Sequence, residues 1–300
     1  MSDRVRQILS NYESENPGVK TNLTRILMHG KLSGTGKLVI LPVDQGFEHG
    51  PIKSFEVNPD AYDPHYHFQL ALDSQVNAYA APLGMIEAGA STYAGMFPLI
   101  LKLNSSNSLH SKCLVQDQAI TASVKDALRL GCVAVGFTIY PGSAKCFDMI
   151  EEVSKIIAEA KSCGLAVIIW SYPRGEGISK KGETAVDVVA YAAHIAALLG
   201  ANIIKVKLPS NQLEREKIEV RNIESLSKRI EYIKKSCFIG KRILLFSGGE
   251  SKSTNDICNE IKEIKRGGGD GSIIGRNIFQ RKKKEALSLL REIINIYKCE

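Results

Sequence analysis

Residues 188–208 read VVAYAAHIAALLGANIIKVKL. The apolar stretch carries His194 in its middle, is broken at Gly200 and runs straight into Lys205. That pattern describes a buried helix followed by a buried strand, not a membrane span. Lys205 and Lys207 are two apart, so in a strand they face one side while Ile204 and Val206 face the other. With the isoleucine and valine turned toward covering helices, both amines point inward.

The same unit recurs outward from this stretch. Short β-rich apolar runs occupy Lys37 to Asp44, Val76 to Gly84, Phe97 to Asn104, Cys132 to Gly142, Ala166 to Tyr172, Asn202 to Leu208, Arg242 to Gly249 and Gly271 to Phe279. Helical segments separate them. Asp63-Pro64 puts a cap before a first-turn proline, Ser123 and Asp126 are spaced as a capping box, and Gly131, Gly164 and Gly200 mark stops. Phe147, Ile150, Val153, Ile156 and Ile157 recur at helical spacing and predict one apolar face. Strands apolar on both sides belong in a parallel sheet covered by helices. Eight such units after a helical N-terminal extension over 1–32 predict a single-domain α/β fold, a (β/α)8 TIM barrel over 33–300. The unit between the second and third strands, Met85 to Met96, is too short for more than a brief helix.

Composition fits this reading. The 300 residues carry 39 basic and 32 acidic side chains, a net charge of +7, with 44% apolar, 24% charged and 7% aromatic residues, which is ordinary for a soluble globular chain. At this length about 75% of the unfolded surface can be buried without staples. The start, MSDRVRQILSNYESENPG, shows no signal peptide. Seven scattered cysteines (113, 132, 146, 163, 237, 258, 299) argue against a disulfide framework and point to a reducing, cytoplasmic setting. The six histidines present no ligand set at strand ends, so no metal is expected. The basic run Arg281 to Lys284 lacks interleaved aromatics and reads as a solvated edge that attracts phosphorylated substrate rather than nucleic acid.

In a barrel, polar side chains at the C-terminal ends of strands are the candidates for chemistry. The first strand ends in Asp44-Gln45-Gly46-Phe47-Glu48-His49, the fifth in Trp170-Ser171-Tyr172-Pro173-Arg174, and the sixth carries Lys205 and Lys207. Desolvation lowers the pKa of an interior lysine and frees a neutral amine to attack a carbonyl; the plainer alternative is a lysine paired with a buried acid. Ser247-Gly248-Gly249 and Gly275-Arg276-Asn277, placed at the seventh and eighth strands, offer backbone amides and a planar cation to an anion.

The blocks LPVDQGFEHGP, PLGMIEAGA, LKLNSSNSL, GFTIYPGS, IIWSYPRGEG, IIKVKLPS, FSGGESKS and GGGDGSIIGRNIFQR resemble, in order and spacing, the archaeal and bacterial class I fructose-bisphosphate aldolases, the branch related to deoxyribose-phosphate aldolase. The similarity runs from about Lys37 to the C-terminus. It implies reversible cleavage of fructose 1,6-bisphosphate in glycolysis and gluconeogenesis, with no cofactor. The neighbouring alternative is a related imine-forming aldolase or acyltransferase acting on another phosphorylated sugar.

By the resemblance, Lys205 rather than Lys207 forms the imine, Tyr172 moves protons at the reacting hydroxyl and the enamine, Trp170 shapes the wall, and Asp44 assists dehydration. Ser247, Gly248, Gly249, Gly275 and Arg276 match the site for the phosphate that stays with dihydroxyacetone phosphate; His49 and Arg174 match contacts for the other. The family also implies a homo-oligomer of many subunits, a decamer being one form. Two departures stand out: Gln45 occupies a position where many archaeal members carry histidine, and Ser210 to Lys241 is longer than in compact members.

Overall fold

The computed structural model describes residues 1–109, 115–215, 223–249 and 251–299. Eight parallel strands close into a barrel: β1 (Leu38–Pro42), β2 (Ala78–Pro82), β3 (Leu99–Lys102), β4 (Ala134–Ile139), β5 (Ala166–Ser171), β6 (Ile203–Val206), β7 (Ile243–Ser247) and β8 (Gly271–Ile273). Each pairs with its neighbours in chain order, and β8 closes onto β1 through Leu38 to Gly271. The predicted barrel holds, and each of the eight runs contains one of its strands, the eighth over only part of its length.

Alternation along the strands sorts side chains into two apolar clusters. Leu38, Ile40, Ile100, Ile168, Ile203 and Leu245 pack inside the barrel, with Val39, Leu41, Leu101, Ile169, Ile204 and Leu244 outside against the helices. Two N-terminal helices, Asp3–Ser10 and Pro17–Leu27, join the inner cluster through Val5, Ile8, Val19 and Leu23. Tyr12, between those helices, donates its hydroxyl proton to the Asn202 carbonyl at 2.6 Å, in front of β6. The extension therefore lies across the N-terminal end of the barrel and leaves the C-terminal end open.

Local signals act as read. Asp63 caps the helix Pro64–Ser74, Ser123 and Asp126 form a capping box, and the short unit after β2 is the seven-residue helix Leu83–Gly89. Helix Val186–Leu198 is buried along most of its length, and no described helix is long and apolar enough to cross a membrane.

Two expectations shift. On Cys146–Ser162 the buried stripe is Met149, Val153, Ile157 and Ala160, whereas Phe147 is 80% exposed. Phe147 lies two residues before Met149, about 200° round the helix, so both cannot face the sheet. The eighth run is strand only to Ile273; Gly275 precedes the short helix Arg276–Phe279, so Gly275, Arg276 and Asn277 lie beyond the strand. One feature has no counterpart in the sequence reading: Asn104–Ser105 pairs antiparallel with Ala119–Ile120, extending the wall above β3.

Candidate active site

A cavity of about 500 Å³ opens at the C-terminal end of the barrel. Lys205 enters it because Ile203 faces inward, so the residue two further on does as well, while Ile204 and Val206 pack outward. Its amine lies 5.3 Å from the centroid of Trp170, its register partner on β5, and 5.6 Å from that of Tyr172. Burial pulls the Lys205 pKa down to about 8, against an opposing pull from the Asp44 carboxylate. A fraction of neutral amine is thus present near neutral pH.

Lys207 lies just past the strand end and lines the same cavity, but its amine is committed to Glu183 at 2.5 Å. The two lysines line one cavity and differ in their partners.

Asp44 precedes the helix Gln45–His49, yet its side chain makes no capping bond, and Oδ1 is buried with no hydrogen-bond partner among the described residues. A buried carboxylate oxygen left unsatisfied is costly, so this one is held for something other than loop geometry. Tyr172 continues the inward phase of Trp170 on β5, and Ser171 between them points outward to donate to the Ala192 carbonyl at 2.7 Å. Burial, reinforced by the Asp44 and Glu48 carboxylates, drives the Tyr172 phenol well above its ordinary pKa of 10. The phenol therefore keeps its proton at neutral pH.

Trp170 needs room, and Gly136 on β4 provides it: any Cβ at that position would run into the indole ring. The same ring has a second ammonium 5.7 Å from its centroid, that of Lys102. Lys102 is 3% exposed, donates to the Asn104 backbone carbonyl and side-chain oxygen, and is pulled by burial to a pKa of about 8. The sequence reading missed it. The signal was there, because Leu99-Ile100-Leu101-Lys102 alternates just as the β6 strand does.

The rim divides into two ends. Beside β7 and β8, Ser247, Gly248, Gly249, Lys252, Gly275 and Arg276 line the cavity. Asn277 ties this rim together: its side chain donates to the Gly248 carbonyl at 3.0 Å and accepts from the Lys252 amide at 2.8 Å. A side chain at Gly275 would come within 2.6 Å of the Pro42 carbonyl, so only glycine lets the two loops meet. Arg276 makes no ion pair among the described residues. Past the ends of β5 and β6 the same cavity is lined by Arg174, paired with Glu48 at 2.7 Å, and Lys207, paired with Glu183. His49, at the end of the helix after β1, lines it as well, 3.9 Å from the Glu48 carboxylate, its pKa lowered by burial.

A closed (β/α)8 barrel with a desolvated lysine, a protonated phenol and a carboxylate oxygen left without a hydrogen-bond partner among the described residues, all on one cavity beside a glycine-lined cationic rim, has the equipment of a lyase that works through a lysine imine on phosphorylated carbonyl compounds. Residues 38–281 match the family described as DeoC/LacD family aldolase, and the chain belongs to that family.

It is 36% identical to the probable fructose-bisphosphate aldolase class 1 of Chlamydia muridarum, covering 98% of this chain and 88% of that one. It is also 36% identical to the fructose-bisphosphate aldolase class 1 of Thermoproteus tenax, over 87% of this chain and 89% of that one. An archaeal fructose 1,6-bisphosphate aldolase crystal structure superposes with a TM-score of 0.78 at 34% identity, covering 93% of this chain and 99% of the other. A second, with its catalytic lysine covalently bound to the carbinolamine intermediate of the substrate, gives 0.77 at 33% identity, with 92% and 98% covered.

Proposed function

We propose that this chain is a class I fructose-bisphosphate aldolase that cleaves fructose 1,6-bisphosphate reversibly into dihydroxyacetone phosphate and glyceraldehyde 3-phosphate through an imine on Lys205. The carrying observation is the placement of the Lys205 amine: fully buried, at a pKa of about 8, against Trp170 and Tyr172 and under the influence of Asp44.

Neutral Lys205 adds to the carbon-2 ketone, and the resulting carbinolamine loses water to a protonated imine. A base takes the proton from the carbon-4 hydroxyl, the bond between carbons 3 and 4 breaks, and its electron pair flows into the imine as an enamine while the aldehyde departs. Protonation at carbon 3 and hydrolysis then restore the amine. The electrostatics favour a division of proton duties different from the one the family resemblance implies. A phenol pushed well above 10 keeps its proton at neutral pH, so Tyr172 is available to give a proton rather than take one and supplies the proton that lets the carbinolamine hydroxyl leave as water. Asp44, with an unsatisfied carboxylate oxygen on the cavity, is the base for the carbon-4 hydroxyl.

The phosphate on carbon 1 binds at Ser247, Gly248, Gly249, Gly275 and Arg276, and the one on carbon 6 near Arg174 and His49. Holding both ends fixes carbon 2 against the amine, so binding remote from the breaking bond serves catalysis. The proposal includes a homo-oligomer acting in glycolysis and gluconeogenesis in the cytoplasm, supported by the family and by the scattered cysteines. It treats residues 1–32 as an extension and 33–300 as the barrel, supported by the packing of the N-terminal helices on the barrel end.

The test is reductive trapping: borohydride with dihydroxyacetone phosphate should attach label to the peptide containing Lys205, alongside bisphosphate cleavage in a coupled assay. Efficient cleavage of a different sugar phosphate with none of this one would reassign the substrate and keep the imine.

A further inference from the structure

Arg174 is held on three sides. Its guanidinium carbon lies 5.5 Å from the ring centroid of Tyr140 and 5.6 Å from that of Tyr172, and Nη1 donates to Glu48 Oε1 at 2.7 Å. Glu48 arrives from the opposite part of the chain, on the helix Gln45–His49 behind β1, between Gly46 and Gly50. Burial raises the Glu48 pKa, but the charge and hydrogen bond of Arg174 outweigh it and hold the carboxylate below its ordinary value. The Arg174 Nε is buried without a hydrogen-bond partner among the described residues, and Glu183 stands 4.0 Å from it.

A free arginine side chain samples many rotamers, so a planar fork already fixed in orientation gives up less freedom when it binds a phosphate. Here the two rings set the tilt of the plane and one carboxylate oxygen sets its rotation. That carboxylate takes one of the five donors, the Tyr140 hydroxyl is hydrogen-bonded to the guanidinium as well, and donors remain for an incoming anion.

We propose that Glu48 is a positioning residue for Arg174: its carboxylate pins the guanidinium against Tyr140 and Tyr172 so that a phosphate at the carbon-6 end of the ketose meets a donor already in place. The inference rests on the aldolase reading above and concerns how that site selects a bisphosphate.

The test compares two substrates, fructose 1,6-bisphosphate and fructose 1-phosphate, across wild type, Glu48→Gln, Arg174→Ala and the double variant. Glu48→Gln should lower kcat/KM for the bisphosphate roughly tenfold, chiefly through KM, and at least five times more than it lowers the value for the monophosphate. In the Arg174→Ala background the same change should alter bisphosphate cleavage by about twofold or less, because the residue it acts through is gone.

Equal losses with both substrates, a loss that adds in full to that of Arg174→Ala, or a tighter KM for the bisphosphate would each overturn the inference, the last by showing the carboxylate to be a competitor of the phosphate. If Glu48→Gln does not fold, Glu48→Asp, which keeps the charge and shortens its reach, is read by the same two-substrate ratio. Wild-type protein that cleaves neither ketose and traps no imine removes the aldolase reading itself, a result distinct from all of these.

Discussion

Lys102 on β3 and Lys205 on β6 bring two fully buried ammonium groups to one indole, at 5.7 and 5.3 Å from the centroid of Trp170. Burial lowers both to a pKa of about 8, and the charge of Lys102 contributes to lowering Lys205. Trp170 is therefore more than a wall, because its π face is a local attraction for cations that have left water.

The Lys205 amine must be neutral to attack, so imine formation should rise with pH up to about 8 and fall close to tenfold per unit below it. Lys102→Met removes a neighbouring cation and lets the Lys205 pKa climb, which moves the acid limb to higher pH; Asp44→Asn removes an opposing carboxylate and moves it lower. The rate of cyanoborohydride trapping with dihydroxyacetone phosphate reads both shifts without requiring bond cleavage. Limbs that stay put in both variants would show that neither charge acts on Lys205.

Lys205→Ala should abolish both turnover and trapping, a loss of at least about three orders of magnitude. Lys207→Ala breaks the pair with Glu183 and should retain trapping at position 205. Peptide mass spectrometry of trapped wild-type enzyme decides between them, and label on Lys207 would reverse the assignment.

The buried Lys205 amine costs stability. An unfolded lysine keeps its proton up to about 10.5 and the folded Lys205 only up to about 8. Between those values the unfolded state binds more protons, so stability climbs with pH there and is lower by an amount of the order of 3 kcal/mol below pH 8. Lys205→Met should consequently be inactive yet raise stability at pH 7 by about 1 to 3 kcal/mol, a few degrees in Tm. Thermal melts at pH 7 and pH 10 test the sign, since the gain should shrink at the higher pH.

Gly136→Ala puts a methyl group where the Trp170 ring lies. Overpacking of this kind costs about 1 to 3 kcal/mol, and displacement of the indole toward the amines should lower kcat/KM by tenfold or more. Tm and kinetics of the single variant check it; wild-type values in both would mean that the ring is not confined by β4.

Arg276→Ala should weaken fructose 1,6-bisphosphate and fructose 1-phosphate alike, by about 10- to 100-fold in kcat/KM, because both carry the carbon-1 phosphate. Arg174→Ala should spare the monophosphate by comparison. The ratio of the two substrates thus maps each arginine to its end of the cavity, and swapped ratios would exchange the two phosphate sites.

Most of the barrel and half of its centre were legible because they depend on short-range rules. Alternation over two residues put Ile203 and Lys205 on one side of β6, caps and glycines bounded the helices, and the order of eight runs implied a closed parallel sheet. What was not legible depends on partners far away in sequence. Lys102 obeys the same alternation as Lys205, but a lone lysine after Leu-Ile-Leu gains meaning only once closure brings β3 across from β5 and β6. The commitment of Lys207 to Glu183 and of Arg174 to Glu48, 126 residues away, likewise exists only in three dimensions. So does the end of β8 at Ile273, where Pro42 and Gly275 crowd each other, and the outward turn of Phe147, set by which helical face meets the sheet. Local backbone geometry is written residue by residue, so sequence determined the elements and the direction of each strand's side chains. Desolvation and ion pairing depend on everything that surrounds a charge, and only the folded chain decides that.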